Sequence, residues 1–178
     1  MTGPKVTLAA KRRSDAPRDY RWQTDAELMA LSGNQLLTIP YTEYLTRYDA
    51  GEQKPETLFL SILTVSDGRH IGNCAVYDAD RTKGEASIGI TIGEREYWGQ
   101  GYGTEAVKAL LDYVFANMGL VSVKLKTLAE NRRARHCFEK CGFQSCGSLR
   151  EEGRDYLLMC LSYEDYAIHQ YSTEYGES

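Results

Sequence analysis

Gly99, Gly101 and Gly103, alternating within Tyr97-Trp98-Gly99-Gln100-Gly101-Tyr102-Gly103-Thr104-Glu105-Ala106, mark a turn between a β-rich segment and an amphipathic helix. Residues of this type in this place can cradle phosphate. Glycine lets the backbone turn tightly and approach a ligand closely, and the unpaired N–H groups of a helix start face an anion with a favourable dipole. A glycine-rich turn alone fits a plain capped helix equally well. A second cluster follows about thirty residues on: Ala129-Glu130-Asn131-Arg132-Arg133-Ala134, then Lys140-Cys141-Gly142-Phe143. Asn131 is a preferred helix N-cap. A nucleotide-binding loop would also use such glycines, but the Lys-Ser/Thr pair that follows a P-loop is missing. Cys137 and Cys141, four apart with His136 alongside, invite a metal reading; zinc sites use four ligands in tighter pairs, so small core side chains on one helical face are the simpler reading.

The elements that must position these groups follow from periodicity. Residues 5–12 read as a first strand. Ser14-Asp15 offers an N-cap and Pro17 suits a first helical turn. Residues 15–32 then form one helix, or two broken near Thr24-Asp25, and Gly33 is a plausible stop. Another short helix follows Pro40 and ends near Gly51. Residues 57–65 are apolar on both faces, as an interior strand requires. Asp67-Gly68 is a hairpin signal, with residues 70–77 returning, and a charged loop of residues 78–84 leads to a strand over 85–92. Ala86, Ile88, Ile90 and Ile92 share one face of it; Glu85, Ser87, Gly89 and Thr91 share the other. Ala106, Val107, Leu110, Leu111, Val114, Phe115 and Met118 recur at helical spacing. A strand over 122–128, a helix over 131–141 and two strands near 143–150 and 155–161 complete the pattern. A polar, tyrosine-rich tail after Ser162 reads as a terminal helix that frays. The mixed order indicates an α+β fold with one large, mainly antiparallel sheet.

Composition narrows the class. The chain has 178 residues, 42% hydrophobic and 26% charged, which fits one domain with a substantial core. A formal charge of −4 argues against non-specific nucleic-acid binding. Neither a membrane-length apolar run nor the charged-then-apolar pattern of a secretory signal is seen. The five cysteines, an odd number without C-x-x-C spacing, read as reduced thiols in a cytoplasmic protein.

Taken together, the two motif blocks resemble the acyl-CoA-binding core of the GNAT N-acetyltransferase superfamily, and most closely its branch of ribosomal-protein-alanine and spermidine acetyltransferases. Four features in order carry the resemblance. They are Val6-Thr7-Leu8 with Ser14-Asp15-Ala16 and Trp22-Gln23-Thr24-Asp25; Ile88 to Gly93 before the glycine turn; Asn131 with Ala134, Glu139, Lys140, Gly142 and Phe143; and Arg150, Asp155 and Met159. The resemblance spans residues 6–161 and implies a sheet of about seven strands flanked by helices. It implies acetyl-CoA as co-substrate, with no metal, and an amine acceptor whose identity the residues leave open. The pyrophosphate would rest on the N–H groups of Gln100, Gly101, Tyr102, Gly103 and Thr104, and the pantetheine arm would lie along main chain at Ile90 and Ile92. Asn131 would add a hydrogen bond to the pantetheine. Relatives often carry a Glu base where this chain has Ser87, so the expected catalytic residues are Glu85, two residues earlier on the same face and the first choice as base, and Ser87 itself. A tyrosine acid in relatives corresponds here to Phe138. The resemblance also allows a homodimer. A chain that binds CoA as a sensor or interaction module, without catalysis, is the alternative.

Overall fold

The computed structural model describes residues 1–50 and 57–175. The strand pattern closes into one seven-stranded sheet. In chain order the elements are β1 (Val6–Ala10), α1 (Ala16–Gln23), α2 (Ala26–Ser32), α3 (Tyr41–Asp49), β2 (Leu58–Thr64), β3 (His70–Asp80) and β4 (Glu85–Ile92). They continue with α4 (Tyr102–Asn117), β5 (Ser122–Leu128), α5 (Arg132–Glu139), β6 (Gln144–Glu151), β7 (Arg154–Ser162) and α6 (Tyr163–Tyr175). The strand order is β1-β2-β3-β4-β5-β7-β6, and every pairing is antiparallel except β4 with β5. That exception follows from α4, because a helical crossover returns the chain in the same direction.

The helix boundaries have local causes. Asp25 breaks the first helical segment in two: its side chain accepts from the Leu28 N–H at 3.0 Å and so starts α2, which Gly33 ends at φ 71°. The expected stop of α3 at Gly51 lies outside the described residues; the helix ends at Asp49. Val107, Leu110, Leu111 and Val114 of α4 are fully buried against Val6, Leu8, Val76, Ala86 and Ile88 of the sheet. Each such side chain contributes about 1.5–3 kcal/mol on burial, so this face anchors α4 and the turn that precedes it.

Three expectations need correcting. β3 runs three residues past Tyr77, because Asp80 pairs again with Glu85 after a register shift. The terminal segment is packed rather than merely polar: Tyr166 is buried, its ring 5.0 Å from that of Phe115. And the five cysteines are not all thiols. Cys146 and Cys160 form a disulfide, while Cys74, Cys137 and Cys141 are free. The two partners are 14 residues apart in sequence, and only the β6–β7 hairpin brings them side by side.

One pairing in the sheet is short. β4 and β5 pair over three rungs only: Glu85 with Ser122, Ala86 with Val123, and Ser87 with Lys124. Beyond them β4 stays with β3 as far as Ile92, while β5 follows β7 to Leu128. The sheet is split from Ile88 onward.

Candidate active site

A cleft of about 890 Å³ opens at that split. Ile88 to Ile92 form one wall and Leu125 to Thr127 the opposite one. Backbone groups alternate in direction along a strand. Gly93 N–H donates to Ile71 of β3 at 2.9 Å, so the groups of Ile92 and Ile90 point the other way, into the split. The Trp98 indole confirms that direction, donating from Nε1 to the Ile92 carbonyl at 2.7 Å. No β5 residue pairs with Ile90, which leaves its N–H and carbonyl facing the cleft.

At one end of the cleft lies the start of α4. Gly101 is its N-cap at φ 86°, a conformation that favours glycine, and the first intrahelical bond runs from Glu105 N–H to the Gly101 carbonyl at 3.0 Å. The N–H groups before Glu105 have no acceptor within the helix. Gly101, Gly103 and Thr104 line the cleft. Gln100 and Tyr102 do not: the Gln100 side chain turns back to the Glu96 carbonyl, and the Tyr102 ring stacks edge-on against Tyr97 at 4.9 Å. Lys5 adds a positive charge here, donating to the Gln100 carbonyl at 2.8 Å.

Helix α5 forms the adjoining wall. Asn131 Oδ1 accepts from the Ala134 N–H at 3.1 Å, the expected cap, and Nδ2 donates to the Leu31 carbonyl of α2 at 2.9 Å. The guanidinium of Arg133 lies 3.8 Å from the centre of the Trp98 ring, a cation–π contact that packs the two blocks together. Cys137 lines the cleft with its thiol held down to about 7 by its side-chain interaction with Cys141 and by the Thr104 hydroxyl, which donates to it; the Cys141 S–H itself points to the Thr104 carbonyl at 3.7 Å. Cys141, beneath, is buried as expected and is pushed up by the same contact and by burial. Phe138 is buried against Phe143, and its ring has no proton to donate.

The opposite end is walled by α1, α2 and α3. Tyr44 and Tyr48 line it with Gln23, Asn34 and Arg47, and Tyr20 and Tyr41 pack behind, their ring centres 5.1 Å apart. Its floor holds a charged group. Lys11 Nζ donates to Asp19 Oδ2 at 2.6 Å and also to Asn73 Oδ1. Asn73 Nδ2 donates to Asp19 Oδ1 at 2.7 Å. Lys11, Asp19 and Asn73 all line the cleft. Burial pushes the Lys11 ammonium and the neighbouring His70 imidazolium down, His70 being hydrogen-bonded to Asn73 Oδ1 at 2.9 Å.

The cleft therefore gathers Ile90, Ile92, Gly101, Gly103, Thr104 and Asn131. It does not include Glu85 or Ser87, which sit on the closed rungs where β4 is still paired on both sides. Strand alternation put both residues on the right face; it carried no information about which end of the strand opens. The residues that reading the sequence missed are Lys11, Asp19 and Asn73. Asp19 had a signal: it falls between Ala16 and Trp22 at a spacing of three, an acid on the buried stripe of a helix.

Comparison with known proteins agrees with this architecture. The profile of the acetyltransferase (GNAT) domain family matches residues 5–144. The N-acetyltransferase p20 of Bacillus licheniformis is 33% identical over 113 residues, covering 60% of this chain and 63% of that protein, under two thirds of its length. The spermidine N-acetyltransferase of Vibrio cholerae, solved with CoA and spermine, superposes with a TM-score of 0.82 at 22% identity over 93% of this chain and 99% of that one. The aminoglycoside acetyltransferase AAC(6')-Ib, solved with coenzyme A, does so with a TM-score of 0.77 at 19% identity over 93% and 99%. With a split sheet, a glycine-capped helix at its mouth and a family profile that covers most of its length, this chain belongs to the GNAT acetyltransferase domain family.

Proposed function

We propose that this protein transfers the acetyl group of acetyl-CoA to a primary amine. The observation that carries the reading is the three-rung pairing of β4 and β5, which opens the sheet onto the start of α4. The cleft suits an acyl-CoA on three counts. Its volume is within the roughly 300–1,000 Å³ usual for small-molecule sites. The N–H groups of Gly101 to Thr104 supply an anion site for the pyrophosphate, with Lys5 and Arg133 as nearby cations. The Ile90 main chain, unpaired toward β5, suits the amides of the pantetheine arm. Acetyl-CoA brings the acetyl group already activated as a thioester. The protein's share is to hold the carbonyl against a backbone N–H, to orient the amine and to exclude water. Asn131 acts mainly through the frame, since its side-chain amide is used on Ala134 and Leu31.

The acceptor end favours a small or extended amine that can lie along Tyr44, Tyr48 and Gln23. The relatives' acceptors, a polyamine in one and an aminoglycoside in another, fix a panel to test. With acetyl-CoA as donor, thiol release should appear with at least one of spermidine, an alanine-ended peptide or an aminoglycoside. Tight acetyl-CoA binding with no transfer to any amine would contradict the enzyme reading. It would favour the sensor alternative, for which Phe138 and Ser87, standing where relatives often carry a Tyr and a Glu, speak. A cytoplasmic setting agrees with the three free thiols, and the Cys146–Cys160 disulfide argues against it. Among the described residues no helix is long and apolar enough to cross a membrane. A homodimer stands on the exposed tyrosines Tyr163 and Tyr171, and light scattering decides it.

A further inference from the structure

The reaction needs a group that removes a proton from the incoming amine, and Glu85, on a closed rung of β4, is not among the residues that line the cleft. Asp19 is the carboxylate in the cleft that is both buried and incompletely used. It is 2% exposed, yet lines the cavity. An ionised carboxylate accepts up to about four hydrogen bonds. Two directions are taken, by Lys11 at Oδ2 and by Asn73 at Oδ1. Asn73 stands directly opposite Thr91 in the β3–β4 register, one strand from the unpaired Ile90 main chain. The carboxylate it holds is therefore on the acceptor side of the split, beside the wall on which a thioester would lie.

The charges around it suit a cationic acceptor. Among the described residues, Lys11 is the cation in contact with Asp19. From the strands, His70 faces Asp19 at 3.8 Å and Asp15 at 3.7 Å, and burial disfavours its charged form. Asp15 carries a further negative charge beside Ser61. Arg47, at the outer wall, is paired with Glu43 at 2.6 Å within α3. Asp15, Asp19 and Lys11 together leave one negative charge in excess, which an ammonium group would offset.

We propose that Asp19 is the catalytic proton acceptor, with Asn73 and Lys11 as positioning residues; the assignment rests on the acetyltransferase reading above. The acceptor enters as RNH₃⁺ and gives one proton to the Asp19 carboxylate. The freed nitrogen lone pair forms the C–N bond to the acetyl carbon while the C–S bond breaks and its electrons leave on sulfur. The sulfur takes the second proton from nitrogen, so the products are the amide and the CoA thiol, and Asp19 returns its proton to solvent.

Asp19→Asn tests this with acetyl-CoA as donor and spermidine or an alanine-ended peptide as acceptor, whichever the wild type acetylates. Proton acceptors of this kind are worth about 10²–10⁴-fold in rate. The variant should lose at least about 100-fold in kcat, with acetyl-CoA affinity by calorimetry within about twofold of wild type. Its residual rate should climb tenfold per pH unit as the amine deprotonates in solution, a slope the wild type lacks. Because the substitution leaves Lys11 buried without its counter-ion, a second variant carries Lys11→Met together with Asp19→Leu. If Asp19 served only to neutralise Lys11, this double variant would regain activity, and the proposal would fall. A folded double variant that binds acetyl-CoA and stays as slow as Asp19→Asn upholds it. An Asp19→Asn enzyme at wild-type kcat overturns the assignment alone. A wild type that acetylates no amine overturns the functional reading and this assignment with it.

Discussion

Asn131 does two things with one side chain: it caps α5 and ties α5 to the Leu31 carbonyl of α2. Losing the cap costs about 1 kcal/mol and losing the partly buried hydrogen bond a similar amount. Asn131→Ala should therefore destabilise the fold by roughly 2 kcal/mol, a drop of about 4–8 °C in Tm for a chain of this size; an unchanged melting curve would mean that neither bond matters. His70 sets a pH dependence of definite sign. Burial holds its folded-state pKa below the ordinary 6.5, so the unfolded chain binds a proton that the folded one resists. Stability is then full above about pH 6.5 and declines as the pH falls below it. Urea melts of the wild type should weaken between pH 7.5 and 5.5, and those of His70→Gln should weaken less. Equal weakening in both would place the titrating group elsewhere.

Two glycines separate the roles of neighbouring elements. A Cβ on Gly93 would lie 2.2 Å from the Trp22 ring, so Gly93→Ala must push α1 off the end of β4. Overpacking of this kind costs about 1–3 kcal/mol, and here it also shifts the helix that carries Asp19. A Cβ on Gly103 would meet Cys137 and Ile92 at 3.6 and 3.7 Å, ordinary contact distances. Gly103→Ala should keep the wild-type Tm or exceed it slightly, since alanine is the better helix former by about 1 kcal/mol. Its methyl group occupies the cleft beside the α4 N–H groups, so acetyl-CoA affinity should fall at least about tenfold. Loss of stability without loss of affinity would show that Gly103 serves the fold and not the ligand. The contrast also shows what the sequence made legible. The glycine turn, the α4 stripe and the Asp25 break are local features, and the structure has each of them. The opening of the sheet is not local: β5 follows β7 along its whole length but pairs with β4 over three rungs only, a long-range pairing that periodicity along β4 does not report. For the same reason the face of Glu85 was readable and its place on a closed rung was not, and the Cys146–Cys160 pair stayed hidden until the hairpin registered it.

At the scale of the whole molecule, the two faces of the sheet divide the work. In the proposed reading, helices α4 and α5 would cradle phosphate on one side and α1, α2 and α3 would wall the acceptor on the other; the split between β4 and β5 joins them. The first half was readable because a phosphate site is made of backbone and glycine. The second was not, because Lys11, Asp19 and Asn73 come from three elements that meet only in the fold. The central claim is that the cleft binds an acyl-CoA through its backbone. Calorimetric titration of the intact protein with acetyl-CoA, with ATP as the control, tests it most directly. We expect one site with micromolar affinity for acetyl-CoA and no heat from ATP, since the pantetheine arm and not the nucleotide alone engages the split strand. No binding of acetyl-CoA, or equal binding of ATP, would contradict the account.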